Sequence, residues 1–491
     1  MSFVNHSAHR PLEIFFIPFV APGHMIPMID LARAFATRQG VRVHIIITAH
    51  NALLFKSSID QDVNSSNADI QLHILEFPSS QVGLPEGIEN FNSITSPDMY
   101  SKVYQGISIL QQPMEKLLLQ NNPDCIISDM YYPWTNDLAN QLGCPRLVFR
   151  VNSFFSLSVM ESIRRYRPHD TVSSDMETFQ VPGLPYHHCI EMTRSQLPDH
   201  VRTRTPYGDL MDTFRESEMR SYGVIVNSFY ELESPYADHF RNVIGMKAWQ
   251  IGPVSLCIKR EVKDTDEEQK KQHKYMSWLD SMKPNSVVYV SFGSMARFQK
   301  TQLIEIASAL ETCGHPFIWV VREPKEEGEN QGWLLSEFEE RLNKKGIIIR
   351  DWAPQVTILA HPAIGGFVTH CGWNSVLESV AEGVPMITWP LFAEQFYNEK
   401  LVIEVLKIGV SVGIYEWEHL MKEGKVIVGR KQIEKAVKML MDGGDEAEEM
   451  KKRARQMSEK AKRAVEEGGS SCASLIDLVE ELKVVRHIIS I

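Results

Sequence analysis

Gly366-Phe367-Val368-Thr369-His370-Cys371-Gly372-Trp373-Asn374-Ser375 opens with a short apolar run that reads as a buried strand, turns at Gly372 and runs on into a helix. A strand that feeds a helix N-terminus through a glycine-bearing turn is the repeating unit of parallel α/β sheets, and that N-terminus is a natural seat for a phosphate. Gly372 lets the backbone approach a ligand closely, Asn374 and Ser375 add side-chain donors, and Glu378 lies one turn further along the same face. A nucleotide would find donors there for its diphosphate and a carboxylate for its ribose diol. The same residues also describe an ordinary capped helix, and the stretch by itself leaves both readings open.

Working outward, Val287–Phe292, Phe317–Val321, Ile347–Arg350 and Met386–Trp389 are further strand-like runs, each followed by turn residues and a helical pattern. Ligands of open parallel sheets sit beyond the carboxyl ends of the strands, so those ends are the places to look for chemistry. Ser291-Phe292-Gly293-Ser294 offers a small loop for a phosphate, and Asp351-Trp352-Ala353-Pro354-Gln355 an aromatic face for a base. Stacking of a base on such a ring is worth about 1–3 kcal/mol. Trp352 and Trp373 are equally open to the commoner fate of a tryptophan, which is to be core.

The first half has the same rhythm, with strands expected at Ile14–Val20, Val41–Ile47, Ile70–Phe77, Cys125–Ser128, Leu147–Val151 and Gly223–Asn227. After the first of these, His24 falls at a strand-to-helix turn. A helix N-terminus disfavours an imidazolium, and a neutral imidazole is the form that takes a proton from a hydroxyl. Asp129 ends the run from Cys125, where it either orients such a base or caps the next helix. Both roles remain open on the sequence.

At 491 residues the chain exceeds what one core usually serves, and its 43% apolar content is enough for two. A formal charge of −11 argues against nucleic acid or an anionic membrane as the main partner. The seven cysteines are dispersed, odd in number and without a C-x-x-C pair, as expected of reduced thiols in a cytosol. Ile14–Ile29 is uncharged but broken by Pro18, Pro22, Gly23 and Pro27 and is too short to span a bilayer, so cytoplasmic location without membrane insertion is expected. Asp60-Gln61-Asp62 and Asp264-Thr265-Asp266 lie in polar stretches and read as solvated loops rather than metal ligands. Zinc spacing, a G-x-x-x-x-G-K-[ST] loop and a G-x-G-x-x-G fingerprint are all missing from the sequence. No metal and no cofactor are expected.

The residues 352–395 can be matched as a whole: WAPQ at 352–355, HP at 361–362, GGFVTHCGWNS at 365–375, Glu378, GVPM at 383–386 and WPLFAEQ at 389–395. This stretch resembles the UDP-sugar signature of plant family-1 UDP-glycosyltransferases. PGHMIPM at 22–28, SDMYYPW at 128–134, VPGLP at 181–185, VNSFYELE at 226–233, VVYVSFGS at 287–294 and EGGSS at 467–471 extend the likeness along nearly the whole chain. The resemblance implies an α/β protein of two facing Rossmann-like domains, the GT-B type, with a C-terminal helix returning to the N-terminal domain. It implies that Trp352 stacks on uracil beside the Ala353 backbone and that Gln355 and Glu378 bind ribose. Ser294, His370, Asn374 and Ser375 would hold the diphosphate, and Trp373, Glu394 and Gln395 would face the sugar. His24 would be the general base and Asp129 its partner in one inverting displacement that needs no metal. Glu394 stands where many members carry Asp, and Asn152 where many carry Thr.

On this reading residues 1–252 form the acceptor-binding domain, 253–274 a linker or mobile loop, 275–469 the UDP-sugar-binding domain and 470–491 the returning helix, in a monomer. The expected donor is UDP-glucose, since galactose-using relatives tend to place His at the position of Gln395. The expected acceptor is a small lipophilic molecule, foremost a triterpenoid sapogenin or saponin, with a flavonoid or isoflavonoid as the alternative. It would sit near Val82–Phe91, Asn152–Val159 and Gly183–Leu197. A catalytically silent UDP-sugar-binding protein is the competing class, and the joint presence of His24 and Asp129 argues against it.

Overall fold

The structure is a computed structural model that describes residues 10–66, 68–94, 96, 98–185, 189–258, 266–321, 338–341, 345–350, 352–418 and 427–489. Asp264, Thr265 and Asp351, with residues 259–265 of the expected linker, therefore lie outside the described residues. Fifteen strands are described: β1 Leu12–Ile17, β2 Val41–Thr48, β3 Ile70–Leu75, β4 Cys125–Asp129, β5 Arg146–Arg150, β6 Thr178–Gln180, β7 Glu191–Thr193, β8 Gly223–Val226, β9 Ala248–Gln250, β10 Val287–Ser291, β11 Phe317–Val320, β12 Gly346–Ile349, β13 Ile364–Thr369, β14 Met386–Thr388 and β15 Gly409–Ser411. They build a parallel sheet of order β3-β2-β1-β4-β5-β8-β9, a second of order β12-β11-β10-β13-β14-β15, and the small antiparallel pair β6-β7. Edge strands β9 and β15 and the β6-β7 pair were not expected. At three residues each they are too short to show a periodicity.

The chain divides into two compact units, one within Met1–Asn152, Pro206–Lys263 and Arg463–Ile491, the other within Ser153–Thr205 and Asp264–Lys462. In the first unit Leu12, Ile14 and Phe16 of β1 share a core with Met28, Leu31 and Phe35 of the helix Pro22–Ala36. Leu475, Leu478, Val479 and Leu482 of the helix Ser470–Ile489 join the same core. It is parted from the helix Gly444–Val465 at Gly468, whose φ of +82° suits glycine, and at Gly469, where a Cβ would come within 2.0 Å of the Arg463 carbonyl oxygen. Two glycines therefore separate the helices Gly444–Val465 and Ser470–Ile489.

The sequence assigns 153–205 to the N-terminal domain, whereas this stretch clusters with the second unit. Side chains and backbone explain the allegiance: Ser153 Oγ donates to Asn398 Oδ1 at 3.2 Å, Ser195 Oγ to the Tyr415 carbonyl at 2.5 Å, and the Trp417 amide to the Ser195 carbonyl at 2.8 Å. The Asp60-Gln61-Asp62 triplet lies in the helix Lys56–Ser66 rather than in a solvated loop. There Asp62 binds the buried guanidinium of Arg33, which a charge removed from water requires. All seven cysteines are free thiols. Among the described residues no helix is long and apolar enough to cross a membrane.

Candidate active site

In the first sheet β1 and β4 are neighbours, with Ile17 opposite Ser128. These are the strands at which the order reverses, the place where such sheets bind ligands. The helix after β1 has Pro22 at its first turn, suited by its fixed φ and missing N–H, and His24 is its third residue. Asp129 closes β4. His24 Nδ1 lies 2.8 Å from Asp129 Oδ2, and the Tyr131 amide donates to Asp129 Oδ1 at 3.1 Å. The next helix, Trp134–Leu142, has Pro133 at its cap and no side-chain cap, so the carboxylate is shared between the histidine and the Tyr131 amide rather than capping that helix.

A buried carboxylate that accepts the Nδ1 proton leaves Nε2 with its lone pair, the tautomer a general base needs. Asp129 is fully buried, whereas the His24 side chain keeps 23% of its exposure. Phe19 and Tyr131 stack on each other at 4.3 Å and stand 5.6 and 5.5 Å from the imidazole. Arg146, buried, donates to Ser128 Oγ and to the carbonyls of Asp129 and Tyr132, and so pins the turn that carries the acid. Burial pushes the Arg146 guanidinium down to about 10, still charged at neutral pH. His44 also meets a carboxylate, Glu13 at 2.6 Å, but its other nitrogen faces His73 at 2.8 Å, which leaves none for a substrate.

In the second sheet the reversal falls between β10 and β13, with Ser291 opposite Thr369. Gly293-Ser294 and His370–Ser375 therefore leave neighbouring strand ends. The His370 ring passes so close to both loops that a Cβ on Gly293 would lie 2.7 Å from it and one on Gly372 2.5 Å. Burial pushes the His370 imidazole down to about 4, so it is neutral at physiological pH, and its Nδ1 finds no hydrogen-bond partner among the described residues. The helix Trp373–Glu382 begins at Gly372, with no side chain capping it. Cys371 and Ala393 both have positive φ, +64° and +53°, a strained backbone that clusters at functional sites.

Exposure separates the tryptophans. Trp352 is 59% exposed, its ring open for stacking, while Trp373 is 2% exposed and packed in the core. Ala353 is buried beside Trp352. Gln355 Nε2 donates to Glu378 Oε2 at 2.8 Å and to Ser375 Oγ at 3.1 Å, while Tyr289 donates to Gln355 Oε1 at 3.4 Å. Gln395 is buried, and its Oε1 accepts from the amides of Leu391 and Phe392 at 2.9 and 3.0 Å, which shapes the loop before Glu394. Asn374 follows Trp373 in the first turn of the helix. Tyr131, Arg146 and Tyr289 escaped the sequence reading. Tyr131 offered the one available signal, an aromatic two residues beyond the strand-end acid.

Replacing Glu378 by alanine is expected to weaken UDP binding by about 1.5–3 kcal/mol, the worth of hydrogen bonds to a charged group. Calorimetric titration with UDP checks this, and an unchanged affinity would remove Glu378 from the ribose site.

Comparison with known proteins agrees with this geometry. Residues 200–441 match the family model described as "UDP-glucoronosyl and UDP-glucosyl transferase". The chain is 47% identical over 482 residues to the soyasapogenol B glucuronide galactosyltransferase of Glycine max, spanning 97% of this chain and 96% of that one. It is 48% identical over 487 residues to the UDP-glucose flavonoid 3-O-glucosyltransferase 7 of Fragaria ananassa, spanning 96% of each. The crystal structure of Glycyrrhiza uralensis UGT73P12 complexed with glycyrrhetinic acid 3-O-monoglucuronide matches with a TM-score of 0.91 at 47% identity, over 97% of this chain and 96% of that one. Likeness of this extent, joined to a histidine–aspartate pair at the strand ends of one parallel sheet and a glycine-led helix start after the other, means that the chain belongs to the UDP-glycosyltransferase family and is an enzyme of GT-B fold that uses a UDP-sugar donor.

Proposed function

We propose that this enzyme transfers glucose from UDP-glucose to a hydroxyl of a triterpenoid sapogenin or saponin, in one displacement that inverts the anomeric carbon and needs no metal. The observation that carries the mechanism is the His24–Asp129 pair at 2.8 Å with the second imidazole nitrogen left for substrate. His24 Nε2 takes the acceptor proton as its oxygen bonds to C1, the C1–O bond to the β-phosphate breaks, and UDP leaves. An α-linked donor then gives a β-glycoside. Asp129 stabilises the imidazolium that forms.

The donor residues have these roles in the reading. Trp352 stacks on uracil beside Ala353, and Gln355 with Glu378 holds the ribose. Ser294, the neutral His370, Asn374 and Ser375 hold the diphosphate, and Glu394 and Gln395 serve the sugar. The helix start at Trp373 places positive dipole at the departing UDP, the work a divalent cation would otherwise do. Activity is therefore expected to survive EDTA; a strict need for added Mg²⁺ or Mn²⁺ in initial-rate assays would contradict it. The free thiols suit a reducing, cytoplasmic setting, and the reading takes a monomer as the working unit.

The triterpenoid choice is supported by two relatives whose names carry triterpenoid glycosides and by the apolar wall of Phe19, Phe91 and Tyr131 near His24. The flavonoid reading is favoured by the Fragaria relative. The deciding experiment is turnover of UDP-glucose, UDP-galactose and UDP-glucuronic acid against oleanane-type aglycones, their monoglycosides and flavonols, read by mass spectrometry. UDP-glucose with an oleanane acceptor is expected to give the highest kcat/KM. Flavonol turnover with inert oleananes would overturn the acceptor, and a preferred UDP-galactose or UDP-glucuronic acid would overturn the donor.

A further inference from the structure

Asn398 is fully buried in the helix Gln395–Lys400, and both its amide nitrogen and its carbonyl oxygen have hydrogen-bond partners. Nδ2 donates to the Cys371 carbonyl at 2.9 Å and to Glu394 Oε1 at 3.3 Å, and Oδ1 accepts from Ser153 Oγ at 3.2 Å. Ser153 itself accepts from the Ser156 amide at 2.9 Å as the cap of the helix Phe154–Tyr166, so its hydroxyl proton is the one given to Asn398. This pattern fixes the amide orientation: turned over, Oδ1 would face a carbonyl and a carboxylate and Nδ2 would face a donor.

The three partners lie at functionally distinct places. Cys371, with its positive φ, is the turn that launches the helix at Trp373. Glu394 caps the next helix directly after Ala393, the other non-glycine residue of positive φ in this region. One amide thus ties the diphosphate turn to the carboxylate assigned to the sugar. We infer that Asn398 is a positioning residue for donor-sugar recognition: it holds the Glu394 carboxylate in register with the Cys371 turn, so that the sugar is gripped at a set distance from the diphosphate. The inference rests on Glu394 serving the sugar. Its physical basis is that a buried amide bonded through both its nitrogen and its oxygen tolerates no flipped orientation, whereas a glutamate, one methylene longer than aspartate, has more rotamers to lose before it can bind.

The test compares two ligands, UDP and UDP-glucose, on the intact enzyme, with Kd by calorimetry, steady-state kinetics and thermal unfolding for each variant. Glu394→Ala is expected to weaken UDP-glucose while sparing UDP. Asn398→Leu, close in shape but without donors, is expected to lower kcat/KM for UDP-glucose by about tenfold, the scale of one charge-assisted hydrogen bond. Its Kd for UDP should stay within about twofold, and the double variant should be no worse than Glu394→Ala alone. Asn398→Asp, which keeps the volume but sets an acceptor against Glu394, should show the same sugar-selective loss and serves if the leucine variant does not fold. Equal losses for UDP and UDP-glucose in the Asn398 variants, or additive effects in the double variant, would overturn the positioning role while leaving Glu394 in place. A Glu394→Ala variant whose preference for UDP-glucose over UDP is unchanged would overturn both.

Discussion

Replacing His24 by alanine is expected to leave folding and UDP affinity unchanged and to slow turnover of a hydroxyl acceptor by about 10²–10⁴-fold, the usual worth of a positioned general base. The imidazole is partly exposed at the start of its helix, so its removal opens no large cavity. What is lost is the lone pair on Nε2. An aliphatic alcohol is too weak an acid to attack C1 without shedding its proton, so the loss should appear in kcat and be larger for alcohols than for the more acidic phenols. Single-turnover rates with one acceptor of each kind, beside a UDP titration, measure this. A variant retaining near-parent kcat on an alcohol would remove His24 from the chemistry.

Asp129→Asn is expected to cost at least about 10²-fold in kcat with UDP affinity preserved. The substitution is isosteric, but the atom that faces His24 Nδ1 at 2.8 Å can now be an amide that donates. The imidazole then favours the tautomer with its proton on Nε2, where it cannot accept one. The fully buried carboxylate also supplies the only charge aimed at the imidazolium in this pair, and an amide supplies none. Kinetics on Asp129→Asn and on the double variant with His24→Ala give the coupling. Two residues acting as one unit should lose together scarcely more than the worse single variant. A collapse of UDP binding in Asp129→Asn would instead place this residue in the donor site.

Much of the molecule was legible before any coordinates. Long buried strands such as β1, β2 and β13 announce themselves as apolar runs, and the glycine-bearing turn before Trp373 announces a helix start, because both signals are local. Strands β6, β7, β9 and β15, three residues each and not set in an apolar run such as that of β14, did not. Residues 153–205 were assigned to the first domain by chain order, whereas bonds from Ser153 and Ser195 to Asn398 and Tyr415 bind them to the second unit.

The sequence by itself determined the class of fold, the residue types at the strand ends and the family signature that runs from Trp352 to Gln395. It could not decide whether Asp129 caps a helix or meets His24, nor whether Trp352 or Trp373 shows its ring. Those answers came from strand order, which sets β1 beside β4 and β10 beside β13 and so joins His24 to Asp129 across 105 positions and Ser294 to the turn at His370. Periodicity and turn chemistry act over a few residues and are written in the chain. Which distant strand ends become neighbours, and which ring is left outside the core, depends on how the whole apolar surface is buried, and only the packed structure decides that.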